Sequence, residues 1–263
     1  MMLDYFTLNF QVFMMMYLRI LGLFYTAPIL SSDSVKIPTR TMLAFMLTLI
    51  IFPVTADFMP LVPGNMIHLG LYFIMELFIG ILIGFILSFI FAAFQMAGEF
   101  FNVQLGFGYT EVLDPVSQTS LPVISTLKNL MAMLLFLVTG SHRVMIESLV
   151  YSFEKIRFYN MTEQHHTGIF RIMEKMIGSM FIVAFKIALP VLGILFLVTV
   201  AEALMGKAAP QLNILQLSFP IKILIGLIVL IAIIPFVEKQ MVHGFELSFD
   251  RVDLLIREWP QKL

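Results

Sequence analysis

Cysteine is absent from all 263 residues, which removes disulfides, thiolate nucleophiles, thiolate metal sites and lipoprotein acylation together. Charge is scarce as well. Only 13% of the residues are Asp, Glu, Lys or Arg, and 16 basic against 17 acidic side chains leave a net charge of -1, with no basic patch interleaved with aromatics. Nucleic acid is therefore not expected as a partner. No Walker loop, GxGxxG or G-x-S-x-G element occurs, and the adjacent His165 and His166, in a polar stretch read as a loop, lack the H-E-x-x-H spacing that puts two ligands and a base on one helix face. No enzyme, cofactor or metal site is expected.

What is abundant is apolar surface. Hydrophobic residues make up 60% of the chain, with 27 Phe and 20 Met, and the mean hydropathy is +0.96, far above the range of soluble domains. Apolar runs lie at 5–30, 41–54, 69–97, 121–139, 178–203 and 214–237. A hydrocarbon core of about 30 Å calls for roughly 20 apolar residues in a helix, and none of the runs alternates as a barrel strand does. The fold class is all-α, an integral membrane protein with about six hydrophobic helical segments. The 41–54 run is short for a crossing, so it is read as a hairpin partner or an element buried in protein. Asp4 stands where a secretory signal carries positive charge, so the first run is expected to be a retained helix. Lys and Arg are in excess on the side shared by both termini, which favours cytoplasmic termini.

Five charges interrupt this apolar background: Arg19, Glu76, Lys186, Glu202 at a run's edge, and Lys222. A charge at mid-bilayer depth costs roughly 2.5–3.5 kcal/mol on insertion scales, so each is expected to meet a partner or water. Glu76, Gly80, Gly84, Ser88 and Ala92 follow one another at intervals of four, a ridge of small residues with a carboxylate at one end. Small residues at that spacing let helix backbones approach closely. The carboxylate must then be bonded across the contact, by Arg19 or by a lysine. Between two apolar halves lies AGEFFNVQLGFGYTEVLDPVSQTSL, where Gly106, Gly108 and the Asp114-Pro115 turn make either a connector or a movable plug. Near the end, Pro210 and Pro220 each remove a backbone donor, and Gln211, Asn213 and Gln216 can bond the groups freed, which reads as a polar elbow in a helical hairpin. Pro190 predicts a kink. Two amphipathic stretches complete the picture: Met145, Leu149, Phe153 and Ile156 share one face, and Phe245, Phe249, Val252, Ile256 and Trp259 another, the latter read as a helix lying on the membrane or on a partner.

The order of landmarks resembles a known family. Arg19 and Gly22 before APILSS and Pro38, Glu76 with its glycines, AGEFFNVQLGFG ending at Asp114-Pro115, Gly140-Ser141-His142 and APQLNILQLSFPIK together resemble the FliR/SpaR/SctT family of type III export gate subunits. The resemblance implies a FliP-like portion over 1–177, holding the plug loop with Gly106, Gly108, Asp114 and Pro115, and a FliQ-like hairpin over 178–263 with its elbow at Pro210, Gln211 and Asn213. It further implies a non-enzymatic subunit of the flagellar protein export gate in the bacterial inner membrane, at the flagellar basal body. The implied partners are FliP, FliQ and FlhB-like subunits, unfolded exported flagellar proteins and membrane lipid. A secondary transporter of a small solute is the alternative that kinked helices and buried ions leave open. Lys207 stands where the family commonly has Arg, and Thr139-Gly140-Ser141-His142 where Gly-Gly-His is more usual.

Overall fold

The computed structural model describes residues 2–32, 35–59, 66–106, 123–156, 163–211, 214–257 and 259. Among these residues it is built of helices alone: α1 (Met2–Thr26), α2 (Ile37–Thr55) with a single 3-10 turn (Ala56–Phe58), α3 (Met66–Leu105), α4 (Val123–Val138), α5 (Ser141–Lys155), α6 (Glu163–Ala208), α7 (Ile214–Ala232) and α8 (Ile234–Arg257). Four of them are long and apolar enough to cross a membrane, or six spans result if the broken pairs α4 with α5 and α7 with α8 each count once. The chain is a membrane protein, and the expected all-α class holds.

Two compact units are present, and they alternate along the chain. The first takes Met1–Phe89, Gly140–Ile177 and Phe245–Leu263; the second takes Ile90–Thr139 and Gly178–Gly244. The compact bodies thus divide the chain otherwise than the sequential portions 1–177 and 178–263. Long helices are the reason: α3, α6 and α8 each pass from one unit into the other.

Within the first unit, α1 buries Met16, Ile20 and Leu23 at the three- and four-residue spacing of one helix face, with Met15 beside them and Ala27 just past the helix end. Phe13 meets Phe45 and Phe52 of α2 edge to face, with ring centroids 5.5 and 5.7 Å apart. After α1 the chain turns through Ile29, whose φ of 66° is rare for a β-branched residue, with Leu30 N–H donating to Pro28 O at 2.7 Å. Arg40 fastens this turn by donating to Ser32 O at 2.6 Å and to Val35 O at 2.8 Å. The 41–54 run is thereby placed in α2, beside α1. The amphipathic faces are filled from inside the chain: Met145, Leu149, Phe153 and Ile156 are buried, as are Phe245, Val252, Ile256 and Trp259. The tail helix, expected to lie on a membrane or a partner, spends its apolar face on this unit's own core, because that core offers an apolar surface with no association cost.

Two further differences from the sequence reading concern helix bounds. The 214–237 run breaks at Ile233, since Pro235 lacks an N–H and its ring conflicts with the carbonyl four residues earlier; α8 begins at Ile234 instead. Pro190 and Pro220 lie inside α6 and α7. His165 and His166 belong to α6, not to a loop.

The small-residue ridge packs α3 against α1. A Cβ placed on Gly80 would overlap the Arg19 carbonyl, one on Gly84 the Thr26 hydroxyl, and one on Gly22 of α1 the Leu77 carbonyl. The Thr26 hydroxyl lies 3.2 Å from Ile81 O across the contact. Each four-residue step turns the ridge by about 40° around the axis, so Ser88 is half-buried and Ala92 is exposed. Gly80→Ala is expected to destabilise the protein by about 1–3 kcal/mol through forced backbone displacement, whereas Gly193→Ala, with no heavy atom within 4 Å of the added methyl, should be neutral or better. Thermal unfolding of both variants in the same detergent checks the contrast, and equal melting temperatures would count against close α1–α3 packing.

Candidate functional site

The deepest polar group of the first unit is an ion pair. Arg19 and Glu76 are both essentially inaccessible, one from the α1 stripe and one from the head of the α3 ridge. Arg19 Nε donates to Glu76 Oε2 at 2.5 Å and Nη2 to Glu76 Oε1 at 3.0 Å, the two-pronged geometry that a planar guanidinium offers a carboxylate. The remaining edge of the guanidinium turns to α5: Nη1 donates to Ser152 Oγ at 3.1 Å and Nη2 to Ile156 O at 3.3 Å. Phe153 presents its ring face 4.6 Å from Cζ. Ser152 in turn donates to Leu149 O at 2.6 Å, so its oxygen is free to accept from the arginine. Three helices are locked at one point. Of the cations open to Glu76 on sequence grounds, Arg19 is the partner.

The second unit holds three polar features. On α3 and α4, Ser125 donates to Glu99 Oε1 at 2.6 Å and Asn102 Nδ2 donates to Ser125 Oγ at 3.0 Å. Gly98 makes room for this contact, since a Cβ there would press on Ser125. On α6 and α7, Lys222 Nζ lies 3.2 Å from Glu202 Oε2, the lysine side chain 18% and the glutamate 11% exposed. Lys222 thus finds a carboxylate but keeps an open side, and Glu202 Oε1 accepts no hydrogen bond. Lys186 is exposed on this chain, so it is not one of the charges the chain itself encloses. Lys128 of α4 is the cation that the sequence reading passed over: it is 2% exposed, its Nζ sits 3.6 Å from the Phe101 ring centroid, and it makes no hydrogen bond. The signal was available. Lys128 interrupts the 121–139 run just as Lys222 interrupts a later one.

The other expected positions divide as follows. Gly106 closes α3 with a positive φ of 86°, its N–H donating to Val103 O at 3.1 Å, while Gly108, Asp114 and Pro115 lie outside the described residues. Pro210 and Gln211 form an exposed turn after α6, and Asn213 lies outside the described residues. No group of three or more His, Asp or Glu capable of holding a metal occurs among the described residues. What the arrangement does chemically is hold helices in register.

The sequence matches a family model described as bacterial export proteins, family 1, over residues 10–248. It is 31% identical over 248 residues to the flagellar biosynthetic protein FliR of Escherichia coli (strain K12), an alignment covering 92% of each chain. Against the flagellar biosynthetic protein FliR of Bacillus subtilis (strain 168) it is 30% identical over 251 residues, 94% of this chain and 95% of that one. For the protein of the same name from Aquifex aeolicus (strain VF5) the identity is 25% over 247 residues, 92% and 93% of the two chains.

Removing one member of the Arg19–Glu76 pair strands the other in the core, so Glu76→Ala and Arg19→Ala are each expected to lose about 3–5 kcal/mol of stability. The double replacement Arg19→Met with Glu76→Leu should recover much of that loss, because neither desolvated charge then remains. A double-mutant cycle on unfolding in detergent reads the coupling; additive losses would show the two groups to be independent.

Proposed function

The chain belongs to the bacterial export proteins, family 1, and from that premise we propose that it is a non-enzymatic subunit of the flagellar protein export gate, assembling with FliP, FliQ and FlhB-like subunits in the inner membrane at the base of the flagellum. The observation that carries this reading is a mismatch between helix length and bilayer. α3 has 40 residues and α6 has 46. At about 1.5 Å per residue they extend roughly 60 and 70 Å, against an apolar slab of about 30 Å. Only 33% of the most apolar window in α6 is buried within this chain, and Phe181, Leu189, Phe196, Leu197 and Leu204 are exposed along its length. The apolar runs within α3 and α6, 69–97 and 178–203, extend roughly 44 and 39 Å, and apolar surface longer than the slab is suited to burial by other protein subunits, which a helical collar around an exported chain supplies.

The 106–118 segment takes the plug role in this proposal, on the strength of its sequence alone. Polypeptides passing the gate would be unfolded, so the subunit needs no substrate pocket and no reacting group.

Co-expression with FliP- and FliQ-type subunits, followed by native mass spectrometry in mild detergent, is expected to yield one complex containing all three. Recovery of this chain alone, in the presence of both, would refute gate assembly. Deleting residues 107–118 should leave the complex intact but make cells leaky to small ions; unchanged permeability would reduce that segment to a connector.

A further inference from the structure

Lys186 differs from the other charges inside the apolar runs of the second unit, because it is exposed. It belongs to α6, whose residues in this unit divide between two faces. Ala184, Ala188, Val191 and Leu195 are buried, and at 3.6 residues per turn they share one side of the helix. On the opposite side Ile182, Lys186, Leu189, Gly193, Phe196 and Val200 follow one another at alternating steps of four and three, and all are exposed. That alternation is the seam along which a second helix packs its side chains between those of the first. Two of its positions are out of place against lipid. Lys186 lies inside the apolar run 178–203, about 12 Å from the nearer end, where a charge costs roughly 2.5–3.5 kcal/mol unless it is relieved. No ion pair or hydrogen bond reaches it from the described residues, and Glu202, the acid on this part of α6, is held by Lys222. Gly193 has no heavy atom within 4 Å of the place a Cβ would take, so a neighbouring backbone can come close there.

We propose that the outward seam of α6 from Ile182 to Val200 seats an apolar helix of a different subunit, which sets an Asp or Glu against Lys186 and its own backbone beside Gly193. Charge selects the occupant. Lipid tails hold no counter-charge, and a lysine reaches the headgroups readily only from near a helix end, whereas Lys186 stands about two turns inside the run. A second copy of this chain would present the same seam, which has a cation and no acid. An apolar helix with one carboxylate meets the whole face, the acid supplying the charge-assisted bond that an exposed lysine within an apolar surface lacks. The single charged position also fixes register, because a slip of one turn parts the two charges. The inference rests on the reading that this chain works inside a multi-subunit assembly, and it adds where and by what chemistry one neighbour is held.

A photo-crosslinking residue in place of Leu189, in the full complex purified from co-expressing cells, tests the seam. The crosslinked peptide is expected to come from an apolar helix of another subunit and to contain Asp or Glu. Lys186→Glu should then lower recovery of that subunit about tenfold or more, and changing the identified acid to Lys should restore it. Gly193→Leu, which meets nothing within this chain, should lower recovery several-fold while leaving the chain's own melting temperature in detergent equal or higher. Crosslinks to lipid alone or to a second copy of this chain, wild-type recovery with Lys186→Glu or with Gly193→Leu, or no rescue by the reciprocal change would each overturn the proposal. If the wild type itself recovers no other subunit, the assembly reading falls with it; if the wild type assembles and Lys186→Glu assembles equally, only this inference falls.

Discussion

Taking an arginine and a glutamate together out of water sets the terms for the whole first unit. Each ion loses several kcal/mol of hydration even after relaxation, and their attraction offsets this only when the geometry is close and the spare donors are bonded. Both conditions appear in the bonds made. The two-pronged contact of Arg19 with Glu76 brings α1 and α3 together, and Ser152 and the Ile156 carbonyl bring α5 to the same guanidinium. The glycines follow from that requirement. A contact this near between α1 and α3 leaves no volume for a Cβ at Gly22, Gly80 or Gly84, so the ridge of small residues and the ion pair are one device. The device also fixes register. A slip of one turn, about 5.4 Å, would strand both charges in an apolar core, so the pair penalises every alternative alignment of α1 on α3 far more than it stabilises the native one.

Among the described residues both units leave buried polar atoms without a hydrogen bond, His142 Nδ1, Arg251 Nε and Trp259 Nε1 in the first. In the second unit Glu202 pairs with Lys222 but leaves one oxygen without a donor, Asn102 leaves its carbonyl oxygen without one, and Lys128 has an aromatic face in place of an acceptor. Its helices also expose large apolar side chains along α6 and α7. Apolar surface of that extent is what the proposed export assembly would cover.

The helices and the first unit's charges were legible because their signals are local: an apolar run declares a helix, and Arg19, Glu76 and the four-residue glycine spacing declare a tight polar contact. Which cation meets Glu76 was not legible, since the pairing joins positions 57 apart in the chain and depends on α1 coming beside α3. The apolar face of the tail was visible from Phe245 to Trp259, but not its destination, because periodicity shows that a face is buried and is silent about what buries it. Lys128 was missed for a different reason. Among so many leucines and methionines one lysine looks like a run's interruption, and only its burial against the Phe101 ring sets it apart. The break at Ile233 could have been found from Pro235 alone.

Exposed leucine and isoleucine can be covered by lipid or by protein at similar hydrophobic gain, so apolar area does not decide between them. Length bears on the choice. The apolar runs 69–97 and 178–203 extend roughly 44 and 39 Å as helix, against an apolar layer of about 30 Å, so in the proposed gate the overrun is surface that neighbouring subunits would cover in place of water.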